Sequence, residues 1–273
     1  MSQHVVVTGG CGFFGAWIVR QLLRGGDRVT VADATLFTKR WEMLMSPEEI
    51  SRVAFVESKV DEDRFVDWLV ATAPDAVIHL AGLQVPTCRA NPVAGAKVNV
   101  IGTLNIFEAA KKLAAANPAA PVMRIVYASS AAIFGPDAEY GEQAVGDMSV
   151  PKPSSHYGAF KLCGEHAAKA YFLDNKVRRP VGQPTQPPAL LPLPSPPHTP
   201  PRSPAPQIPS VGLRPLTVYG PGRDAGLTSF PTRAVAAAIL GKPFDIPFSG
   251  PTVYTHIEEV RREGAGCARP AAR

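Results

Sequence analysis

Long hydrophobic runs are missing from this chain. None approaches the roughly 18 apolar residues that a bilayer-spanning helix requires, so no membrane span is expected. An apolar run, Val5-Val6-Val7, opens at the fifth residue, which leaves no room for a cleaved leader and points to a cytoplasmic protein. Cysteine is scarce as well. Cys11, Cys88, Cys163 and Cys267 are scattered without the spacing of metal ligands, which argues for reduced thiols rather than a metal site or a disulfide framework. A basic stripe with interleaved aromatics is also lacking. The net charge of +5 sits wholly in the last third, because residues 1–178 carry 18 Lys and Arg against 18 Asp and Glu, while residues 179–273 carry 10 against 5. Nucleic acid is therefore not an expected partner.

What is present suffices for a buried core, since 45% of the 273 residues are hydrophobic. They fall in short runs at 5–8, 29–33, 53–56, 76–80, 123–128 and 211–215, alternating with helix-like stretches at 13–24, 62–73, 92–116 and 154–174. That alternation calls for crossover connections and an α/β fold with a doubly wound parallel sheet, NAD(P)-binding and Rossmann-like. The string Thr8-Gly9-Gly10-Cys11-Gly12-Phe13-Phe14-Gly15 lies between the first run and the first helix, the strand, turn and helix order that phosphate binding needs. Gly9 and Gly12 are expected to take backbone angles that a side chain forbids and to let the turn touch a pyrophosphate, with Gly15 packing the helix on its strand. Phe13 and Phe14 open the helix, whose first amides face the anion. Asp33 ends the next run, where a carboxylate accepts from adenosine ribose hydroxyls and repels a 2'-phosphate, favouring NAD. Lys39 and Arg40 leave NADP as the weaker alternative.

Tyr157 and Lys161, four residues apart, share one face of a predicted helix. An ammonium beside a phenol, together with the positive nicotinamide of NAD+, favours the phenolate of a group whose free pKa is about 10. Tyr157 is therefore the expected proton acceptor.

Taken together, these strings resemble the extended short-chain dehydrogenase/reductase family, within it the NAD-dependent epimerase/dehydratase group. The resemblance also rests on His79-Leu80-Ala81-Gly82, Asn99-Val100-Ile101-Gly102-Thr103, Tyr127-Ala128-Ser129-Ser130 and Leu213-Arg214-Pro215 with Val218-Tyr219-Gly220-Pro221-Gly222. It implies hydride transfer at a hydroxyl-bearing carbon, with a nucleotide sugar as substrate and a homodimer as assembly. It assigns catalysis to Ser130, Tyr157 and Lys161, with Ser130 bonding the reacting oxygen and Lys161 also holding the nicotinamide ribose. Leu80, Ala81 and Gly82 would line the pyrophosphate and ribose path, Asn99, also at the cofactor, would order its helix region or relay a proton, and Pro215 would contact the cofactor. The family's acid after the third strand falls near Ser58-Lys59-Val60-Asp61. Phe134 stands where a tyrosine is common.

The chain divides into a core and catalytic helix at 1–178, a proline-rich insertion at 179–209, a last core strand with a partial substrate region at 210–260, and an irregular tail at 261–273. Thirteen of the 29 prolines fall between Pro180 and Pro209, a composition that builds neither helix nor ladder and reads as disordered or as translated non-coding sequence. The small substrate region is expected to be truncated. Two alternatives accompany the main reading: an NAD(P)-dependent dehydrogenase or reductase of a small carbonyl, sugar-acid or sterol-like substrate, and a non-catalytic dinucleotide-binding protein or truncated gene model.

Overall fold

Strand β1 (His4–Thr8) is buried along its whole length, and its neighbours explain why a continuous apolar run suits it. It pairs in parallel with β2 (Arg28–Asp33) on one side and β4 (Ala76–His79) on the other, with Val5 opposite Val29 and Val6 opposite Val77. The computed structural model describes residues 2–141, 145–146, 148–174, 208–226, 228–245 and 254–257. Among these, β3 (Ala54–Glu57), β5 (Arg124–Ala128) and β6 (Ser210–Leu213) complete a parallel sheet in the order β3-β2-β1-β4-β5-β6. The sequence order reverses between β1 and β4, and a crevice opens there at the carboxyl ends of the strands.

Alternating side chains of β1 serve two cores. Val6 joins Val77, Ile125, Phe65 and Phe107 on the face covered by α4 (Asp63–Thr72) and α7 (Gly102–Ala116). Val5 and Val7 join Val29, Val31, Val19 and Trp41 on the face covered by α1 (Phe13–Arg24) and α2 (Lys39–Leu44). Covering both faces produces the near-continuous hydrophobic strands seen in the sequence.

Several local features depart from the sequence-based expectations. The single helix expected over 92–116 is three pieces: α6 (Pro92–Ala96), a widened π turn (Lys97–Ile101) and α7. Asn91 caps α6 by accepting from the Ala94 amide, as the Asn-Pro entry predicts. Short helices α2, α3 (Pro47–Ser51) and α5 (Val85–Ala90) were not anticipated. The helix that carries Tyr157 and Lys161, α8, runs His156–Asp174. The core resumes at Ile208, fully buried beside Phe107 and Ile125, so the proline-rich composition overlaps the body of the domain by two residues. Residues 175–207 and 258–273, which hold most of the expected insertion and the whole of the tail, lie outside the described residues. After β6, β7 (Thr217–Tyr219) pairs in parallel with β8 (Tyr254–His256), and α9 (Phe230–Ile239) lies between them in sequence.

Candidate active site

The crevice has a volume of about 840 Å³. It is lined by every residue singled out for catalysis or cofactor binding except Asn99, together with Ser58, Lys59, Val60 and Asp61 after β3. At its floor, Gly9 has φ +70°, and a Cβ there would lie 2.7 Å from the Ala81 amide nitrogen. Gly12 differs from expectation, having the ordinary extended angles φ −73° and ψ 176°. Its use lies in carrying no side chain at the start of α1, which has neither a side-chain cap nor an acid in its first turn. The first-turn amides are thus open to an anion in the crevice. A Cβ on Gly15 would come within 2.3 Å of the Gly9 carbonyl oxygen, so this glycine packs the helix against the turn.

Asp33 is fixed by the same turn. Its Oδ2 accepts from the Cys11 amide at 3.0 Å and its Oδ1 from the Ala34 amide at 2.8 Å, which fixes the carboxylate at the tip of β2. Arg40 donates from each of its three side-chain nitrogens, to the carbonyls of Cys11 and Gly222, each at 3.1 Å, and to Asp224 at 2.6 Å. The Cys11 thiol is buried and its pKa is pushed up to about 11, chiefly by desolvation, so it is an unreactive wall.

A buried chain of hydrogen bonds sets the loop after β4. Thr8 Oγ1 lies 2.7 Å from His79 Nδ1 and accepts from the Ala81 amide, while His79 Nε2 lies 3.1 Å from Thr103 Oγ1. Thr103 in turn donates to the Asn99 carbonyl. Donors and acceptors close without conflict when His79 carries its proton on Nε2. Burial first, and Lys161 second, bring the His79 pKa down to about 3, so the ring is neutral. Asn99 lies beneath the crevice, inside the π turn, and its amide is used on the backbone of Leu83, accepting at 2.7 Å and donating at 2.9 Å. It holds the loop rather than facing a ligand. Widened turns of this kind recur at functional sites.

Ser130, Tyr157 and Lys161 meet at the carboxyl end of β5. Ser130 Oγ accepts from the Ala132 amide, capping a short turn, and its hydroxyl is near enough to the Tyr157 phenol to pull its pKa down. Tyr157 has its pKa raised by burial, against which the Ser130 hydrogen bond and the Arg223 charge pull downward. The phenol is therefore protonated near neutral pH in this state, which the Tyr-Lys spacing does not reveal. Lys161 is buried; its Nζ donates to the Ala128 carbonyl at 2.7 Å and lies 5.7 Å from the Tyr157 ring centre. Desolvation lowers its pKa to about 8. Ser129 points elsewhere, donating at 2.5 Å to Glu165, which Arg214 grips with two nitrogens. That cluster ties α8 to the end of β6.

The sequence reading missed Gly158, where a Cβ would lie 2.1 Å from the Ala132 carbonyl oxygen. It also missed Arg223, which lines the crevice directly after the Val218–Gly222 string. Its position beside that string was the signal. Among the described residues no cluster of His, Cys, Asp or Glu is arranged to hold a metal, and no helix is long and apolar enough to cross a membrane.

The chain is 32% identical over 183 residues to a dTDP-glucose 4,6-dehydratase of Mycobacterium tuberculosis, covering 66% of this chain and 52% of that protein. It is 33% identical over 165 residues to a UDP-glucose 4-epimerase of Mycolicibacterium smegmatis, covering 60% and 49%. The chain thus spans about half the length of the curated relatives it matches. Among solved structures, it resembles UDP-glucose 4-epimerase of Thermus thermophilus in complex with NAD, with TM-score 0.67 and 23% identity over 96% of this chain and 73% of that one. It also resembles L-threonine dehydrogenase of Clostridium difficile, with TM-score 0.70 and 17% identity over 96% and 69%. At such identities these two likenesses establish the fold. Residues 5–187, which take in the strands from Val5 through β5 and the helix bearing Tyr157 and Lys161, match the NAD dependent epimerase/dehydratase family, and the chain belongs to that family.

Proposed function

We propose that this chain binds NAD in the crevice and catalyses hydride transfer at a hydroxyl-bearing carbon of a nucleotide sugar, as an epimerase or a dehydratase. The observation that carries this reading is the meeting of Ser130, Tyr157 and Lys161 at the carboxyl end of β5, beside an uncapped helix start. The residues fit a dinucleotide: open first-turn amides for the pyrophosphate and a fixed carboxylate for the adenosine ribose. Arg40 is held by three acceptors of the protein itself, one of them the Asp224 carboxylate, which supports NAD over NADP.

The cofactor, when bound, supplies the hydride chemistry. Ser130 would donate to the reacting oxygen. Tyr157 would take the proton that the alcohol releases on oxidation, a task that needs positive charge brought beside its phenol. Lys161, anchored on Ala128, would hold the nicotinamide ribose. The named relatives include both a dehydratase and an epimerase, and this supports nucleotide sugars as the substrate class. A cytoplasmic homodimer is the inferred setting; Val93, Ile101, Phe172 and Leu173 leave exposed apolar surface on the α6–α8 layer where a partner copy could pack. The test is incubation with NAD+ and a panel of dTDP-, UDP- and GDP-sugars. An epimer or 4-keto product is expected from at least one of them, and no product or NADH from any would overturn the reading.

A further inference from the structure

A clasp joins the C-terminal part of the chain to the glycine loop. Trp17 Nε1 donates to the Pro221 carbonyl at 3.0 Å, and Arg40 bonds Gly222 and Asp224 while also holding Cys11. The clasped turn carries Arg223 into the crevice. The guanidinium carbon sits 5.6 Å from the Phe13 ring centre, and Nη2 donates to Thr228 Oγ1 at 2.8 Å. A Cβ on Gly226, whose φ is +98°, would lie 2.3 Å from Gln84 Oε1 and 3.4 Å from Arg223 Nη2, so these two side chains converge on one point. Arg223 Nε is buried and has no hydrogen-bond partner among the described residues. The nearby acid, Asp224, is bonded to Arg40. Arginine does not shed its proton inside proteins, so a partly buried guanidinium with no free carboxylate beside it among the described residues is costly unless something else brings the negative charge.

We infer that Arg223 is a substrate-binding residue that receives an anionic group of the substrate, a carboxylate or a phosphate, and thereby sets the reacting carbon against Tyr157. This rests on the reading of the crevice as a catalytic site and specifies what enters it. The cofactor's phosphates have their own donors in the amides of the first turn of α1; Arg223 rests on the Phe13 ring at that turn and also neighbours Thr228, the Gln84 loop and, through its charge, Tyr157. A guanidinium offers paired donors that match a carboxylate or phosphate edge, which an ammonium does not.

The experiment measures binding by calorimetry in the wild-type chain, Arg223→Gln and Arg223→Lys, with and without NAD. The probes are UDP, D-gluconate and uncharged D-glucose. Wild type should bind at least one anion. Arg223→Gln should weaken that anion about tenfold or more, Arg223→Lys should fall between the two, and NAD and glucose should respond to neither substitution. Loss confined to UDP identifies a phosphate, and loss confined to gluconate identifies a carboxylate. Anion affinity unchanged in both variants overturns the inference. So does NAD affinity that weakens in step, which would assign Arg223 to the cofactor, or a wild type that binds neither anion. The anion measurements without NAD read Arg223 even if no sugar nucleotide is turned over, so the two readings fail separately.

Discussion

Tyr157 is a phenol that burial keeps protonated, with Ser130 and Arg223 pulling the other way. Substituting Tyr157→Phe keeps the ring and removes the proton acceptor. Turnover should drop by about 10² to 10⁴ while NAD affinity stays close to wild type in fluorescence titration; a variant that keeps its rate refutes the role. His79 gives a second prediction. Between about pH 6.5 and 3 the unfolded chain takes up a proton at this imidazole that the folded chain refuses. Stability should therefore fall on acidification by about 1.4 kcal/mol per unit from this group. Urea denaturation across that range should give a flatter profile for His79→Gln, which can bridge the two threonines but cannot titrate, even if it starts less stable at pH 7. That Gly9, Asp33, Tyr157 and Lys161 would line one crevice was legible, because the proposed phosphate and ribose contacts call for set residue types at short spacings. The His79 chain was not, because its partners Thr8 and Thr103 are 71 and 24 residues away and no local pattern announces them.

At the level of elements, the helix start and the short turn after β5 must approach closely for Ser130 to reach Tyr157. Gly158 allows that approach, with space for no more than a hydrogen where a methyl would meet the Ala132 carbonyl. Gly158→Ala should push α8 away from this turn and cost about 10²-fold in turnover, as small misplacements do, with a smaller change in NAD affinity. Equal losses in both, or none, would contradict this account. Strands and long helices were legible from their periodicity, with boundaries shifted by a residue or two. The π turn was not, since Lys97–Ile101 carries the same apolar spacing as the helices around it. What widens there is backbone that admits the buried Asn99 beneath Leu83, a demand made by tertiary packing rather than by the local sequence.

Across the whole molecule, the clasp formed by Trp17 and Arg40 joins residues 204 and 182 positions apart. Hydrogen bonds to charged groups are worth about 1.5–3 kcal/mol each. Arg40→Ala should therefore loosen the Gly220–Asp224 turn, seen as faster tryptic cleavage after Arg223 with the sheet still intact by circular dichroism; unchanged cleavage would show that the clasp does not restrain the turn. The fold class could be read from the order of runs, because parallel strands need crossovers and so impose alternation on the sequence. Contacts of such separation leave no such trace. One further property belongs to the sheet's last strand. β6 pairs only with β5 among the described residues, and Val211 and Leu213 stand more than half exposed upon it. A rim of unpaired backbone flanked by greasy side chains invites foreign strands, so the isolated polypeptide should be prone to self-association at high concentration, and charge introduced at those two positions would make it easier to keep in solution.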